Sequence, residues 1–574
     1  MARPWFHLAA AAFCLLSTYL LQSDAAVVEH TFHVGNLTVR RLGQTQVITA
    51  VNGQFPGPKI EAHDGDTVVV HVVNLSPYNI TIHWHGILQR LSGWADGPNM
   101  VTQCPIPAAG GRYTYRFNVT GQEGTLWWHA HVSFLRATVY GALLLRPPPG
   151  RSFPFPAPHG EATLLLGEWW NTSVVDVERD AILAGGAPNN SVALTINGAV
   201  GYNDSDDAAP YRLAVERGKT YLLRVINAAL NYQLFFKVAG HSLTVVAADA
   251  CYTDPYDTDV VAVAPGQTVD ALMRADAEPG QYYMAAQVYQ SLANATYSAT
   301  TRAIVAYHDG HDGDGGEHSP EPEMPAMPAL NDSATAERFY AALTGLLPDG
   351  KPTVPRRVDT RMLVTFGLGV TACAPAQTLC NRTVGSVAAS MNNVSFQFPT
   401  AMSLLEAYMR GTPGGVYTRD FPDRPPVMFD FTSAAASSTP AAMATAKGTK
   451  VRRLRYNETV EMVLQNTAIL GAENHPLHLH GFNFYVLAQG VGNFNAHRHV
   501  RRYNLVNPQQ RNTVAVPGGG WAVIRFTADN PGIWIMHCHL DAHLPFGLAM
   551  AFEVENGPTP DAVLPPPPPD YPKC

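Results

Sequence analysis

The residues with the clearest chemistry form a short run near the end of the chain, His537-Cys538-His539, with His543 close behind. The preceding residues 533–536 are apolar or aromatic, which predicts a β-strand. Side chains on a strand point to opposite faces in turn, so the two histidines of the run should face away from Cys538. A cysteine thiolate with two imidazoles and at most a weak axial ligand is typical of a blue-copper electron-transfer site. His537 and His539 could hold a second metal centre about 10 Å away on the other face.

Paired histidines recur along the chain more often than chance allows. With 22 histidines in 574 residues, roughly one His-Xaa-His pair is expected by chance, and the sequence contains five. Four pairs lie beside Trp, Leu, Met or Phe in strand-like surroundings and are predicted to bind metal: His83/His85, His129/His131, His478/His480 and His537/His539. The fifth pair, His497/His499, lies in a polar stretch rich in Asn and Arg and is predicted to be an exposed loop.

Two sequence blocks each occur three times, which predicts three copies of one domain. The first block occurs at Gly65–Asn74, Gly218–Asn227 and Asn457–Asn466. The second follows each of these at a similar interval, at Gly124–His131, Gly280–Gln287 and Gly532–His539. Each copy is rich in short alternating segments separated by Gly, Pro and Asn, and this pattern predicts an all-β fold of sandwiches or barrels.

The middle copy differs from the outer two at the histidine positions. It has Ala285 and Gln287 where the outer copies have histidine, and Phe235-Phe236 near the position of the first histidine pair. The middle domain should therefore bind no metal, and the outer two must bring their ligands together. This predicts a metal cluster at the interface of domains one and three.

The start of the chain has the pattern of a secretory signal peptide. Arg3 precedes the apolar run 8–21, and Ser23-Asp24-Ala25 offers small residues for cleavage, which predicts a signal over residues 1–25. No later stretch has the unbroken apolar length of a transmembrane helix. We therefore expect secretion without a membrane span.

The remaining length allows about three domains, predicted at residues 26–148, 159–307 and 356–574. The Pro-rich segment Pro147–Pro158 separates the first two, and 308–355, with its Gly-, Asp- and Pro-rich beginning, is predicted to be a linker. The formal charge of −8 is spread along the chain, so nucleic-acid binding has no support.

Sequons and cysteines fit an extracellular protein. An oxidising compartment permits disulfides: Cys373 and Cys380 could close a local loop, and Cys104 could pair with Cys574, leaving Cys251 as a buried free thiol. The sequence leaves the connectivity open. Asn-Xaa-Ser/Thr sequons, the acceptors of N-linked glycans, begin at Asn36, Asn74, Asn79, Asn118, Asn171, Asn189, Asn203, Asn294, Asn331, Asn381, Asn393 and Asn457.

The histidine motifs together resemble those of a known family. In order along the chain they are His83-Trp-His85-Gly86, Trp128-His129-Ala-His131, His475-Pro-Leu-His478-Leu-His480-Gly481 and the segment from His537 to His543. They resemble the four copper-binding motifs of multicopper oxidases and are complete in every ligand. Similarity to plant laccases covers nearly the whole mature chain, including Asn512-Thr-Val-Ala-Val-Pro, Gly520-Trp-Ala-Val-Ile-Arg and the terminal Pro572-Lys-Cys574.

The resemblance implies three cupredoxin-like domains and four copper ions, with a trinuclear cluster between domains one and three. It implies a secreted enzyme, monomeric and located in the apoplast or cell wall. Such an enzyme oxidises diphenols and other phenols, such as lignin precursors, and reduces dioxygen to water. The implied ligands are His475, Cys538 and His543 for the type 1 copper, His83 and His478 for type 2, His85, His129 and His539 for one type 3 ion, and His131, His480 and His537 for the other.

Three further positions take their meaning from the same resemblance. Asp96 matches an acid near the type 2 copper and is expected to relay protons, although an Asp-Gly turn would also explain it. Leu548 matches the axial position of the type 1 copper and offers no ligand atom, while Met550 lies two residues further on. Many plant laccases have an acidic pair where this chain has Tyr232-Gln233, and Tyr232 could simply pack.

Other functions on the same scaffold stay open at this point. An ascorbate oxidase would use a different reductant. A ferroxidase would need carboxylates near His475 and His543, for which Glu473 and Asp541 are the candidates. A copper-free wall protein would be expected to have lost ligands, and none is missing here.

Overall fold

The computed structural model describes residues 25–201, 209–291, 296–308, 321–347, 350–433, 445–467 and 473–574, with the single positions 435, 439, 443 and 470. The predicted signal peptide, part of the predicted linker and the sequons at Asn203 and Asn294 lie outside these residues. Within the described ranges no helix has the length and apolar character required to span a membrane.

The strands form three consecutive units, each built from two sheets. Unit one has strands β1 to β8: Val27–Arg41, Gln44–Val51, Ile60–His63, Thr67–Asn74, Ile82–His85, Gly111–Asn118, Gly124–Ala130 and Tyr140–Arg146. Their sheet orders are β2-β1-β4-β6 and β3-β8-β7-β5. The alternation that predicts strands is visible in β6, where Tyr113, Tyr115 and Phe117 face the core.

Unit two repeats this arrangement with more strands. Strands β9 to β19 are Gly160–Trp169, Ala193–Ile196, Arg212–Val215, Thr220–Asn227, Gln233–Val238, Leu243–Ala248, Cys251–Thr258, Val261–Val263, Thr268–Arg274, Gln281–Tyr289 and Thr300–Tyr307. The sheet orders are β10-β9-β12-β17-β14-β15 and β11-β19-β18-β13-β16.

Unit three is the largest of the three. Strands β20 to β32 are Thr360–Thr371, Ser386–Met391, Val394–Phe396, Ala446–Gly448, Val451–Leu454, Glu458–Asn466, His475–Leu479, Phe484–Val491, Gln510–Arg511, Thr513–Val516, Gly520–Ala528, Gly532–Cys538 and Ala549–Val554. The sheet orders are β23-β22-β21-β20-β25-β30-β27-β28 and β24-β32-β31-β26-β29.

The sequence repeats fall on equivalent strands of the three units. The first block forms β4, β12 and β25, each of which pairs in parallel with the first strand of its unit and antiparallel with a later strand. The second block forms β7, β18 and β31, which lie inside the second sheet of each unit. The predicted all-β fold of three cupredoxin-like domains is confirmed.

The register of the middle unit corrects one expectation. His83 is the Cα partner of His129 in unit one, and His478 is the partner of His537 in unit three. In unit two the partner of Ala285 is Lys237. The position equivalent to His83 is therefore Lys237 rather than Phe235-Phe236. The equivalent residue lies two positions further along the strand than the sequence comparison suggested.

Four α-helices lie among the described residues: α1 Val174–Ala184, α2 Ser333–Ala342, α3 Leu404–Met409 and α4 Ala496–His499. Asp332 caps the N-terminus of helix α2, and its side chain accepts a hydrogen bond from the Thr335 amide at 3.0 Å. Ala336 and Phe339 pack into the core of unit two. This part of the predicted linker is thus a packed helix, because its apolar residues recur at helical spacing.

Helix α4 corrects the expectation of a loop at His497/His499. The Asn495 side chain accepts a hydrogen bond from the Arg498 amide at 3.2 Å and so begins a helical turn. His497 is exposed, as predicted, while His499 stacks on Trp521 with ring centroids 4.6 Å apart.

Units one and three share one apolar cluster, which fixes their relative position. Ile82 and Trp84 of β5 lie in the same cluster as Ile533 and Ile535 of β31. The C-terminal tail adds a second connection, since Cys574 is disulfide-bonded to Cys104 and the Trp94 indole donates to the Pro565 carbonyl at 2.8 Å. Burial of this seam brings strands β5 and β7 opposite β26 and β31.

The remaining cysteines pair as the sequence suggested, with one difference. Cys373 and Cys380 form the local disulfide. Cys251 is a free thiol, as predicted, but it is partly exposed and not buried. Its sulfur accepts a hydrogen bond from the Asn483 amide at 3.3 Å.

Candidate metal centres

The imidazoles predicted for the cluster come from four strands or from the residues just after them. Strands β5 and β7 supply those of unit one, and strands β26 and β31 supply those of unit three. Across the seam, the rings of His83 and His480 have centroids 4.1 Å apart, and those of His85 and His478 are 3.8 Å apart. All eight are buried: His83, His85, His129, His131, His478, His480, His537 and His539. The structure therefore brings the eight side chains into one interdomain cluster.

Four of these rings are oriented by backbone carbonyls on their outer side. Nδ1 of His83 lies 2.7 Å from the Asp96 carbonyl, and Nδ1 of His478 lies 2.9 Å from that of Asn512. His129 and His537 make the same contact, at 2.8 Å, with the carbonyl of the next residue. A carbonyl oxygen only accepts, so each Nδ1 carries the proton and each Nε2 keeps a lone pair that faces the cluster.

The inward nitrogens fit bound cations. Nε2 of His537 lies 3.2 Å from Nε2 of His480 and 3.3 Å from Nε2 of His131. Because the outer nitrogens of His480 and His537 donate to oxygen atoms, the facing Nε2 atoms of these two rings are both lone pairs, which repel unless a cation lies between them. Among the cluster histidines described, His83, His129 and His478 have an Nε2 atom that is buried without a hydrogen-bond partner.

The ring charges agree with this interpretation. Burial and the neighbouring imidazoles of His480 and His83 hold the pKa of His478 well below its usual range. Burial does the same for His85, again together with its imidazole neighbours. Neutral imidazoles are the form that binds metal, and imidazole is a ligand suited to copper. The residues present therefore fit a copper cluster.

His85 and His539 form the third edge of the cluster and differ in their outer contacts. Nδ1 of His85 lies 3.1 Å from Nε2 of His539, so these two nitrogens face each other. Nε2 of His85 lies 3.1 Å from the Asn512 side-chain oxygen and 3.1 Å from the Thr513 hydroxyl. The ring of His539 meets a guanidinium instead, with Arg136 Nη1 2.9 Å from Nδ1 and 3.5 Å from Nε2, so the guanidinium lies against the ring.

The second predicted centre lies on the other face of the same strand. Cys538 Sγ lies 3.5 Å from Nδ1 of His475 and 3.4 Å from Nδ1 of His543. The three ligand atoms lie within 4.8 Å of one another, and all three residues are buried. His475 opens β26, Cys538 ends β31, and His543 lies in the 3-10 turn Asp541–His543. The alternation of strand side chains thus directs Cys538 away from His537 and His539, as expected.

Leu548 lies beside this centre. It is fully buried in the same apolar cluster as Cys538, and its carbonyl accepts the Cys538 amide at 3.1 Å. Met550 is also buried, but it is the register partner of Met536. It therefore lies two residues, about 7 Å, further along the strand.

A carboxylate borders the outer edge of the second centre. Glu473 Oε1 lies 3.2 Å from Nε2 of His543. Burial alone would raise the pKa of Glu473, but the charge and hydrogen bond of His543 lower it to about 2. Asp541, the other acid considered for iron binding, lies instead 3.6 Å from Arg136 Nη1.

Domain two contributes Tyr232 and Gln233 near this edge, and both are packed. The Tyr232 hydroxyl donates to the Asn190 side chain at 2.7 Å, and its ring stacks on Tyr297 with centroids 4.7 Å apart. The Gln233 amide donates to the Asn474 carbonyl at 3.3 Å. Tyr232 therefore has a packing role, and Glu473 is the carboxylate in contact with His543.

Asp96 links the two halves of the cluster. Its Oδ2 atom lies 3.0 Å from Nδ1 of His480, and its Oδ1 atom 3.4 Å from Nδ1 of His83. The carboxyl group is fully buried. The following Gly97 has a φ of +97°, and a Cβ there would lie 1.9 Å from the Ile82 carbonyl. The Asp-Gly turn is therefore real, and it delivers the carboxylate to the cluster.

Sequence reasoning missed Arg136 at the cluster. It also missed the side-chain contacts that Asn512 and Thr513 make with His85. Thr513 opens strand β29, and Asn512 lies immediately before it. The motif Asn512-Thr-Val-Ala-Val-Pro by itself indicates no role for these two side chains. Arg136 has no sequence signal beyond lying five residues after His131, because its partners are far away along the chain.

Comparison with known families agrees with the architecture. Three family models, each described as multicopper oxidase, match residues 33–150, 160–310 and 420–558. Together they match well over half of the chain, one in each unit.

Individual relatives point the same way. The chain is 73% identical over 560 residues to Laccase-14 of Oryza sativa subsp. japonica, covering 96% of this chain and 95% of that protein. It is 57% identical over 571 residues to Laccase-7 of Arabidopsis thaliana, covering 98% and 99%. Among solved structures, it is similar to the laccase from Botrytis aclada, with a TM-score of 0.69, 26% identity, and coverage of 93% of this chain and 89% of that one.

Proposed function

Because the chain belongs to the multicopper oxidase family and, within it, to the plant laccases, we propose that it couples one-electron oxidation of phenols to four-electron reduction of dioxygen to water. The observation that carries this proposal is the pair of ligand sets on opposite faces of His537-Cys538-His539. Phenols give up electrons singly and dioxygen takes four, so an enzyme that joins the two reactions needs linked redox centres.

We propose four copper ions with the ligands that the family pattern assigns. Two groupings of neighbouring ligand atoms, His131/His480/His537 and His475/Cys538/His543, match this assignment, and the inward lone pairs fit bound cations. His83 belongs to both remaining groupings, one with His85 and His129 and one with His478 and His480. Copper supplies reversible one-electron chemistry at each centre. The proposed type 1 ligands are His475, Cys538 and His543; type 2 would use His83 and His478; the type 3 ions would use His85, His129 and His539, and His131, His480 and His537.

Residues of the chain itself link the two centres and would transfer protons at the cluster. The Cys538 side chain and the backbone on either side of it give a short covalent path to His537 and His539. Asp96 is proposed as the proton relay of the cluster, and its contacts with the rings of His83 and His480, one from each outer unit, support that role. A buried carboxylate in that position can accept and return a proton without reaching solvent.

At the electron-entry side, we propose that phenols bind against the edge of His543. Glu473 is the acceptor that borders this edge, and it would hydrogen-bond the phenolic hydroxyl. It would replace the acidic pair that many plant laccases have at the position of Tyr232-Gln233. Leu548 gives no axial ligand atom, which favours a high reduction potential and substrates such as lignin precursors or lignin-derived phenols.

The alternative functions have less support. A ferroxidase site would need carboxylates near His475 and His543, and of the two candidates only Glu473 borders His543, since Asp541 is paired with Arg136. The relatives described above are named laccases rather than ascorbate oxidases. A copper-free wall protein would not need buried nitrogen lone pairs that face one another.

We also propose secretion to the apoplast as a glycosylated monomer, with domains at 26–148, 159–307 and 356–574 and a linker at 308–355. The sequon at Asn74 is not a proposed glycan site, because its side chain is fully buried. Its amide donates to the carbonyls of Tyr78, Ile106 and Pro107 at 2.8, 3.1 and 3.0 Å.

The test is an absorption spectrum of the purified protein together with a copper count. We expect an intense blue band, four coppers per chain, bleaching by a phenol under anaerobic conditions, and rapid return of the colour when oxygen is admitted. A colourless protein, or one that reduces no oxygen after loading with copper, would reject the proposal.

A further inference from the structure

We propose that Arg136 is a positioning residue that registers the three domains around the cluster and holds His539 in its ligand position. The inference rests on the proposed copper function and extends it to a residue that provides no ligand atom. It also assigns a task to domain two, which contributes none of the proposed ligands.

Arg136 is the meeting point of all three domains. It lies in the 3-10 turn Ser133–Ala137 of unit one and is 1% exposed. Its Nη2 atom donates to the carbonyls of Ala229 and Leu230 in unit two, at 3.2 and 3.0 Å, and to that of His539 in unit three, at 3.0 Å. Its Nη1 atom lies against the ring of the same histidine, 2.9 Å from Nδ1 and 3.5 Å from Nε2.

This geometry needs an arginine. A guanidinium has five N–H donors in a rigid plane, so one group can meet acceptors on several sides at once. An ammonium carries the same charge but lacks the fork. Burying a charge is costly unless it is paired, and the nearest carboxylate, Asp541, lies 3.6 Å from Nη1. A buried cation with such specific acceptors is well suited to fix their relative positions.

The loop of domain two that Arg136 binds also holds the segment between the two centres. The Leu230 carbonyl accepts the Asp541 amide at 2.9 Å. The Asn231 side chain accepts the Ala542 amide at 3.1 Å. Asp541 and Ala542 lie between His539 of the cluster and His543 of the other centre. Domain two thus supports the chain that joins one ligand of each centre, and Arg136 connects that support to domain one.

Four ligand rings are oriented by carbonyls within their own unit, such as His129 by Ala130 and His537 by Cys538. The ring and the backbone carbonyl of His539 instead contact a side chain from another unit. Its position therefore depends on the docking of the domains as well as on its own strand. Residues that orient metal ligands typically cost 10- to 100-fold in metal affinity or activity when replaced.

Arg224 provides a matched control. It is also 1% exposed, and it donates across the interface of units one and two to the Thr125 hydroxyl at 2.9 Å. It pairs with Glu161 and Asp270, but none of its recorded contacts is to a proposed ligand. Arg224 therefore shares burial and interdomain bonding with Arg136 but not the cluster.

The experiment compares Arg136→Gln and Arg136→Lys with Arg224→Gln and Arg224→Lys in the copper-loaded protein. The readouts are copper per chain, the rate of copper loss to a chelator, the blue band, and the fraction of copper visible by electron paramagnetic resonance. That fraction reports the magnetic coupling of neighbouring coppers, which depends on their spacing.

We expect both Arg136 variants to keep the blue band while losing cluster copper to the chelator about 10- to 100-fold faster than wild type. The visible fraction of the copper should change, and lysine should rescue neither property. The Arg224 variants should be less stable to heat with the visible fraction unchanged. If Arg136→Gln is not recovered folded, Arg136→Lys decides.

Arg136 variants that match the Arg224 variants in both copper retention and visible fraction would overturn the proposal. Rescue by lysine would also overturn it, since charge alone would then be sufficient. The wild type is measured first, so failure of the proposed oxidase function would appear as missing blue colour or missing copper before any variant is compared.

Discussion

The middle unit and the two outer units share equivalent repeat strands, but only the outer units place imidazoles on the strands that face the seam. His83 opposite His129 in unit one corresponds to Lys237 opposite Ala285 in unit two. Lys237 forms an ion pair with Asp259 at 2.6 Å. The fold supplies a fixed location for side chains, and the chemistry depends on which residues occupy it.

The middle unit contributes no proposed metal ligand, but it forms hydrogen bonds and ion pairs with its neighbours. The Gln267 amide donates to the Thr513 carbonyl at 3.0 Å, next to the cluster. Asp249 binds Arg511 of unit three through two contacts of 3.0 Å. The comparison teaches that a repeat which has no ligands can still determine the geometry of a site built by its neighbours.

The largest effect is expected at Cys538, whose counterpart in the middle repeat is Ala286. Cys538→Ser should abolish the blue colour and reduce phenol oxidation by more than about 100-fold, since even outer contacts of a metal site cost 10- to 100-fold. Folding should persist, because one ligand of one copper is a small part of three cores. Ala286→Ser, the equivalent position in the middle repeat, should leave both properties unchanged per folded molecule. A blue, active serine variant at 538 would contradict the site.

The next effect tests whether the cluster is shared between the outer units. His131→Ala from unit one and His480→Ala from unit three should each lose dioxygen reduction, by about 100-fold or more, while the blue band persists. The measurement is the return of colour after reduction with a phenol and admission of oxygen. Gln287→Ala, at the position of His131 in the middle copy, is the control. Fast recovery in either histidine variant would show that its ring is not required.

A smaller effect is expected at Leu548, next to the type 1 ligands of unit three. Leu548→Met introduces a thioether that stabilises Cu(II) and should lower the reduction potential while the colour remains. A drop of about 60 mV corresponds to a tenfold change in the electron-transfer equilibrium, and the least oxidisable phenols should slow most. A redox titration measures this directly. An unchanged potential would remove Leu548 from the axial position.

The smallest effect concerns Glu168 of the middle unit, which accepts the Asn231 amide at 2.7 Å behind the loop that Arg136 binds. Burial raises its pKa from 4.5 to about 7. Below pH 4.5 the group is protonated in both states. Between about pH 4.5 and 7 the unfolded state ionises first, so the folded state loses stability as pH rises, by up to about 3 kcal/mol.

Glu168→Gln should therefore gain thermal stability relative to wild type as pH rises from about 4.5 to 7. Glu161 is the control of opposite sign, because Arg224 and Arg146 lower its pKa against the effect of burial. Glu161→Gln should lose thermal stability relative to wild type as the pH rises near 4, because the wild type then gains the contacts of the ionised Glu161 with the two arginines. Parallel profiles of thermal stability against pH for the two variants would contradict the raised pKa of the buried Glu168.

The sequence by itself determined the ligand types, their faces and the repeat. Strand alternation directs Cys538 away from His537 and His539 whatever surrounds them, and three copies of one pattern predict three copies of one fold. The loss of histidine at Ala285 and Gln287 was enough to predict a cluster between units one and three. These features are local, since each depends on residues that are close along the chain.

The tertiary structure decided the contacts that depend on docking. Asp96 reaches His480 across 384 positions, and Arg136 reaches His539 across 403. No local periodicity encodes such pairs, because they follow from how the units pack. The two-residue shift that places Lys237 opposite Ala285 is likewise a matter of strand register. Register and docking are set by burial of whole sheet faces, so sequence spacing predicts which residues bind and packing determines what holds them in place.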